Sequence, residues 1–247
     1  FGVTQLFMLG RAIIAVAQLT IILMTPMPYL TARIGATEHA DHCIQASLTS
    51  WNILCMGLPG QVSIAIMAAI LISTALGFLP LVTGPLHLYV ALSLHSGMTH
   101  IDGGESAAVV SLTWVAIICL FDRRLNGWRG SFPNGNHWSS GIPLAAAYAL
   151  KIQCSVIYFH SATAKFSTES WLDGTALYYV VRMEMFGVTA PFADIAIAVT
   201  AAPAGTLLLT YATMAAELAI AVLIWLRGPV KYLAVFLSVA LHLAIVI

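Results

Sequence analysis

The segment YFHSATAKFSTESWLDGTALYY (residues 158–179) ends a long apolar run on a lysine and continues at once with acidic and aromatic residues. The chain has only ten Lys and Arg and ten Asp and Glu among 247 residues, so the position of each charged residue needs an explanation. The run before Lys165, residues 142–164, is long enough to cross the roughly 30 Å hydrocarbon core of a bilayer as a helix. The segment therefore predicts a membrane helix that ends at an interface and is followed by a structured turn.

The composition of the whole chain supports a membrane protein. Hydrophobic residues make up 60% of the sequence and charged residues 8%, whereas soluble domains carry about 25% charged residues. The net charge is zero, which gives no reason to expect a nucleic-acid partner. We therefore expect an all-α, multi-pass membrane protein in contact with the lipid bilayer.

Seven apolar segments approach the length of a membrane span. They are residues 6–25, 61–79, 85–97, 106–121, 142–164, 204–226 and 229–247. The segment 186–200 is short and contains proline, so we interpret it as interfacial. The sequence thus predicts a polytopic helix bundle that forms a single transmembrane domain over residues 1–247, with incomplete termini.

The positions of the arginines predict the orientation. The loop DRRLNGWRG (residues 122–130) and the segment RGPVK (residues 227–231) are basic, and basic loops stay in the cytoplasm. This assignment makes residues 27–60 an extracytoplasmic loop that contains Cys43 and Cys55. Because disulfides persist in that compartment, we predict a disulfide between the two cysteines.

Two interpretations of Lys165 are open. A lysine at the end of a span can extend its ammonium group to the lipid headgroups. However, Tyr158, Ser161, Ala162 and Lys165 share one helix face, and this small, hydroxylated face suits a bundle interior. A partly desolvated lysine there could act as a base, so we expect Lys165 beside a carboxylate in a pocket open to the outer face.

The segment LHSGMTHIDGGES (residues 94–106) carries the carboxylates that are expected to face Lys165, namely Asp102 and Glu105. Its histidines and carboxylates are metal-ligand types, but their spacing matches no standard zinc signature, so no metal site is predicted. Three further polar residues within spans are expected to be hydrogen-bonded in the interior: His87, His160 and Glu217. Glu217 is the costliest to bury, so we expect it to be neutral or paired with a cation, and it is a third candidate partner for Lys165.

The residues after Lys165 predict a new helix at the outer interface. Ser170 and Asp173 fit a capping box, with Ser170 as the N-cap residue. Trp171 has the amphipathic ring that is typical of headgroup depth. Gly174 would allow another helix to approach the backbone closely.

The quoted segment, together with HIDGGES (residues 100–106) and ICLFDRR (residues 118–124), resembles the SdpB-like (sporulation-delaying protein B) family. That family belongs to the HTTM superfamily, which also contains vitamin K-dependent gamma-carboxylases. The resemblance implies an HTTM-like fold and a role in the maturation or export of a secreted, disulfide-containing antimicrobial peptide toxin. It also implies two partners, a small SdpA-like protein and the peptide toxin precursor.

The resemblance to the carboxylases places Lys165 at the position of a lysine that is proposed to deprotonate reduced vitamin K. Ala162 and Ala164 depart from that motif, so the resemblance favours quinone-linked or other lysine-dependent chemistry over glutamate carboxylation. In this interpretation the catalytic residues are Lys165, Asp102, Glu105 and His160, and the cofactor-binding residues are Tyr158 and Trp171. The expected bound molecules are a quinone and lipid. A non-catalytic export scaffold is the remaining alternative.

Overall fold

The computed structural model describes residues 3–26, 30, 51–98, 103–129, 141–183 and 187–246. Within these ranges the chain forms ten helices, and an isolated antiparallel bridge joins Phe78 and Asn126. The helices are α1 (Val3–Met24), α2 (Gly60–Ala75), α3 (Pro80–Gly97), α4 (Gly103–Cys119), α5 (Gly141–Lys165), α6 (Glu169–Leu172), α7 (Ala176–Val180), α8 (Ala193–Ala201), α9 (Pro203–Leu223) and α10 (Val230–Val246). The all-α prediction is confirmed for this part of the chain.

Three of the described helices have the length and apolar composition needed to cross a membrane. They are Gln5–Met24, Gly141–Lys165 and Pro203–Leu223. Three others are apolar but shorter: Gly60–Ala75, Gly103–Cys119 and Val230–Ala244. The prediction of seven spans is therefore wrong by this measure, although the three long helices support a membrane protein.

A backbone turn explains why the second predicted span was too long. The second predicted span ran to residue 79, but α2 ends at Ala75. Gly77 and Leu79 have positive φ angles of +74° and 38°, which an α-helix cannot accommodate. Pro80 then begins α3, where its missing N–H costs no intrahelical hydrogen bond.

The chain divides into two compact units, Phe1–Leu150 and Lys151–Ile247. In the first unit, α1 packs against α2, α2 against α3, and α3 against α4. The first apolar core cluster of this unit consists of Ala15, Ile22, Leu30, Ile53, Met67, Leu71, Val90 and Leu94. The second cluster consists of Ala91, Leu112, Val115 and Cys119, from α3 and α4. The two helices approach closely there, since a Cβ atom at Gly84 would lie 2.3 Å from the Cβ atom of Cys119.

The loop after α4 is fixed to the turn between α2 and α3. The amide of Leu79 donates to the carbonyl of Leu125 (2.9 Å), and the amide of Gly127 donates to the carbonyl of Gly77 (2.8 Å). Within this loop Asp122 and Arg124 form a buried ion pair with an N–O distance of 2.7 Å. The arginine-containing loop that the sequence places in the cytoplasm is thus ordered by backbone and charge contacts.

In the second unit α9 packs against α7, α8 and α10. The segment 186–200, predicted to be interfacial, contributes most of α8. Most of the predicted outer loop, 27–60, lies outside the described residues, as does Cys43. The Cys43–Cys55 disulfide therefore stays a prediction, while Cys119 and Cys154 are free thiols.

Candidate functional site

Lys165, the last residue of α5, forms an ion pair with Glu217 in the middle of α9. Its Nζ atom donates to both carboxylate oxygens of Glu217, each at 2.8 Å. The position is favourable in itself, because the C-terminus of a helix carries a partial negative charge that attracts a cation. A lysine that served only to reach the lipid headgroups would make no such contact within the bundle.

Ser161 completes the site from one turn earlier on α5. Its hydroxyl donates to Oε1 of Glu217 at 2.9 Å, and its Oγ atom accepts from Nζ of Lys165 at 3.0 Å. The Lys165 ammonium also contacts the carbonyl oxygen of Ser161 at 3.3 Å. Ammonium, carboxylate and hydroxyl therefore form a closed triangle of hydrogen bonds, which we call the Lys–Glu–Ser cluster (Lys165, Glu217 and Ser161).

The cluster is mostly shielded from solvent but not sealed. The side chains of Lys165 and Glu217 are 17% and 8% exposed. Breaking such a buried pair is costly because it leaves one charge uncompensated in a low-dielectric region. Part of the Lys165 side chain therefore stays accessible.

The aromatic ring of Trp171 lies beside the cluster. The Nζ atom of Lys165 is 5.0 Å from the centre of the Trp171 ring, which is within the range of a cation–π contact. The ring comes from α6, the short helix that follows Lys165 in the chain. Lys165 is thus held between a carboxylate on one helix and an aromatic ring on another.

The start of α6 differs from the prediction. Thr168, not Ser170, is the N-cap residue, and Asp173 is the C-cap residue. The Asp173 carboxylate accepts hydrogen bonds from the amide and the hydroxyl of Thr175, at 2.9 and 2.6 Å. The predicted capping box is therefore wrong, because Asp173 stabilises the turn that follows α6 and does not cap its start.

Two contacts fix this turn to α9. Tyr211 donates its hydroxyl to the carbonyl oxygen of Leu172 at 2.7 Å. Gly174 has a φ angle of +78°, and a Cβ atom there would lie 3.2 Å from Cγ of Leu207. The expected close approach at Gly174 is confirmed, and it positions α6 and the Trp171 ring.

The same face of α5 continues away from the cluster with more hydroxyl groups. Ser155 donates to the carbonyl oxygen of Ala221 at 2.7 Å, and the Tyr158 hydroxyl is 2.5 Å from Oγ of Ser238. Ala162 is fully buried. This face lies inside the second unit, as the sequence predicted, but the Tyr158 hydroxyl bonds to α10 and not to Lys165.

The remaining predicted site residues have other surroundings or lie outside the described residues. Glu105 lies in the first unit, where its Oε2 atom accepts from the Gln18 amide at 3.3 Å. Asp102 lies outside the described residues. His160 is exposed, so the expectation that it is an interior residue is wrong; it lies on the helix face next to that of Ser161.

His87 fits its predicted interior role. It is completely buried, and its Nε2 atom is 3.1 Å from the side-chain oxygen of Gln18. Because that oxygen can only accept, Nε2 is the donor. Within the described ranges, no three His, Cys, Asp or Glu side chains lie close enough together to hold a metal ion.

Comparison with known proteins gives two relatives from Bacillus subtilis (strain 168). The chain is 32% identical over 190 residues to the uncharacterized protein YitO, covering 74% of this chain and 60% of YitO. It is 31% identical over 124 residues to the sporulation-delaying protein SdpB, covering 50% of this chain and 38% of SdpB. These similarities support an SdpB-like family.

The chain spans less than two thirds of the length of both relatives. No family model matches it, and no solved structure matches it. The link to the HTTM superfamily and to the carboxylases therefore stays a prediction.

Sequence reasoning assigned no role to Ser161 and favoured other partners for Lys165. Glu217 was expected to be neutral or paired, and the structure shows it paired. The sequence feature that could have indicated Glu217 as the partner of Lys165 is its position in the middle of the apolar segment YATMAAELAIA (residues 211–221). A carboxylate at that depth needs a cation from another helix, and Lys165 is one of few cations in the spans.

Proposed function

We propose that this chain acts in the maturation or export of an SDP-type secreted antimicrobial peptide toxin at the outer face of a bacterial cell membrane. The peptide toxin precursor is its substrate and a small SdpA-like protein is its partner. The similarity to SdpB supports the toxin system as the setting. The observation that supports a site for binding the peptide, or for chemistry on it, is the hydrogen-bonded Lys–Glu–Ser cluster.

The position of the cluster suits a peptide substrate that approaches from the membrane surface. Lys165 ends a helix long enough to cross the membrane, and α6 and α7 follow with Trp171, Tyr178 and Tyr179. Such rings are typical of the membrane interface. A peptide that lies at this depth could exchange hydrogen bonds with the ammonium and carboxylate groups of the cluster.

The charge of the cluster argues for a polar ligand and against a purely structural pair. Replacing a buried ion pair by apolar residues is often neutral or stabilising, so stability alone does not require it. Charged residues within membrane segments usually mark substrate or proton pathways. A non-catalytic export scaffold would need no buried lysine that is hydrogen-bonded to a hydroxyl group.

The test is toxin production in cells in which the native gene is replaced by a variant. Lys165→Ala should abolish the mature secreted peptide, measured by mass spectrometry of the culture medium. Lys151→Ala is the matched control. Lys151 lies on the same helix and also contacts an aromatic ring, with its Nζ atom 4.7 Å from the centre of the Trp225 ring. It forms no ion pair with a described residue.

We expect normal toxin from the control and none from Lys165→Ala, at equal amounts of membrane-inserted protein. Equal toxin production by both variants would refute the proposal. Lys165→Arg separates two roles, because arginine keeps the charge but cannot be deprotonated. Loss of toxin with Lys165→Arg would favour the lysine as a base, as in the quinone-linked alternative, whereas retained toxin would favour an electrostatic role.

A further inference from the structure

The hydroxyl group of Ser161 is placed as a nucleophile would be. Its proton points at Oε1 of Glu217, 2.9 Å away, and its oxygen accepts from the Lys165 ammonium at 3.0 Å. A weak nucleophile such as serine is activated by an adjacent base within hydrogen-bond distance. Here the base is a carboxylate, and the base is itself oriented by a third group, the ammonium of Lys165.

The assignment of roles follows from the hydrogen bonds. Lys165 donates to both oxygens of Glu217, so its ammonium form is the one that fits the geometry. An ammonium has no lone pair with which to accept a proton. Glu217 is therefore the group that can take the proton of Ser161, and Lys165 supplies positive charge beside the oxygen that becomes negative.

From this geometry we infer that Ser161 is the nucleophile of an acyl-transfer reaction that cleaves a peptide bond, with Glu217 as general base and Lys165 as electrostatic stabiliser. The inference rests on the proposed function for its substrate, a secreted peptide precursor. It extends that function by naming the bond that is cleaved and the residue that attacks it.

The reaction balances with water as the only co-reactant. Oγ of Ser161 attacks the carbonyl carbon of the peptide, its proton passes to Glu217, and the electron pair of the carbonyl bond moves to oxygen. The tetrahedral intermediate collapses, the C–N bond breaks, and the leaving amine takes the proton from Glu217. Water then attacks the resulting ester, Glu217 accepts a proton from it, and that proton returns to Oγ as the peptide carboxylic acid leaves.

A nucleophile needs a fixed position and access for its substrate, and the surroundings of Ser161 provide both. Its side chain is half-buried, and its hydrogen bonds with Glu217 and Lys165 hold the hydroxyl group in position. The open side is that of Lys165, which is 17% exposed. A peptide carbonyl that approached from that side would meet the hydroxyl and the ammonium together.

The first experiment detects the nucleophile without any toxin. The full-length protein, purified in mild detergent, is treated with a fluorophosphonate probe that phosphonylates activated serines, and modified peptides are identified by mass spectrometry. We expect labelling at Ser161. Glu217→Gln should slow it by about 100-fold, which is the order of magnitude that a general base contributes.

Ser155→Ala is the matched control, because Ser155 lies on the same helix and also bonds to α9, but through a backbone carbonyl. It should leave the labelling rate at Ser161 unchanged. Absence of label at Ser161 in the wild-type protein would overturn the inference. Equal labelling rates in wild type and Glu217→Gln would do so as well.

The second experiment uses toxin production and separates this inference from the proposed function. Ser161→Ala keeps the Lys165–Glu217 ion pair and should abolish the mature peptide while leaving the thermal unfolding temperature near that of wild type. Normal toxin from Ser161→Ala, with none from Lys165→Ala, would overturn the nucleophile and leave the toxin role standing. Normal toxin from both variants would refute the toxin role, and the labelling experiment alone would then decide the role of Ser161.

Discussion

The ion pair between Lys165 and Glu217 should be energetically coupled, and the coupling can be measured by a double-mutant cycle. The variants are Lys165→Met, Glu217→Gln and the combination of both. At an N–O distance of 2.8 Å and an effective dielectric constant of about 20, the direct attraction is about 6 kcal/mol. Desolvation of both groups offsets much of this, so the net values are smaller.

Each single variant leaves one charge without its partner. Lys165→Met leaves the carboxylate of Glu217, 8% exposed, with only the Ser161 hydroxyl as a described donor, so we expect a loss of about 3 kcal/mol of unfolding free energy. Glu217→Gln leaves the more exposed ammonium of Lys165 next to the Trp171 ring, so we expect a loss of about 2 kcal/mol of unfolding free energy. The double variant buries no unpaired charge, so it should be about 2 to 3 kcal/mol more stable than the sum of the two losses predicts.

The assay is the unfolding free energy from denaturant titration in mixed detergent micelles, with helix content read by circular dichroism. Lys151→Met is the control, since it removes only a cation–π contact worth about 0.5 to 1 kcal/mol. If the losses of the two single variants add within about 0.5 kcal/mol in the double variant, the residues are not coupled. That result would refute the ion pair and with it the geometry of the Lys–Glu–Ser cluster.

Three further predictions concern the first unit. Asp122→Asn should reduce the unfolding free energy by about 3 to 5 kcal/mol, because it removes the carboxylate that pairs with the buried guanidinium of Arg124. The control Arg123→Ala, at the exposed neighbour, should stay within about 0.5 kcal/mol of wild type, and equal losses would contradict this reasoning. Gly84→Ala should lower the unfolding free energy by about 1 to 3 kcal/mol, because the added methyl group overpacks against Cys119. Adding Cys119→Gly should restore most of the lost free energy. A thermal unfolding curve of Gly84→Ala like that of wild type would argue against the close approach of α3 and α4. For the predicted orientation, a cysteine placed at position 123 should react with a membrane-impermeant maleimide only after the membrane is opened, and labelling of intact cells from outside would reverse the topology.

The sequence predicted the kind of fold but not the lengths of its helices. Apolar composition and the scarcity of charge were sufficient for an all-α membrane protein, and Lys165 was correctly identified as the end of a long helix. The predicted spans were too long where a backbone turn falls within apolar sequence. Gly77 and Leu79 lie between two apolar segments without any polar residue to mark the break, so hydropathy could not reveal it.

The partner of Lys165 could not be read from the sequence for a different reason. Lys165 and Glu217 are 52 residues apart, and their contact depends on how α5 and α9 dock. The charge pattern favoured Asp102 and Glu105 because it assigned them to the same side of the membrane. Ser161 was visible as a member of the same helix face, but its role depends on the position of Glu217, which only the tertiary structure gives.

The two ion pairs among the described residues differ in a way that bears on function. Asp122 and Arg124 are two residues apart in one loop, and their side chains are 0% and 5% exposed, so the pair stabilises a local turn and leaves no room for a ligand. Lys165 and Glu217 join two helices, include a hydroxyl group in the same hydrogen-bond triangle, and keep one side chain 17% exposed. Chemistry on a peptide needs a group that is desolvated enough to be reactive and accessible enough to be reached. Of the two pairs, the one that ends α5 meets both conditions, so the second unit holds the candidate catalytic site.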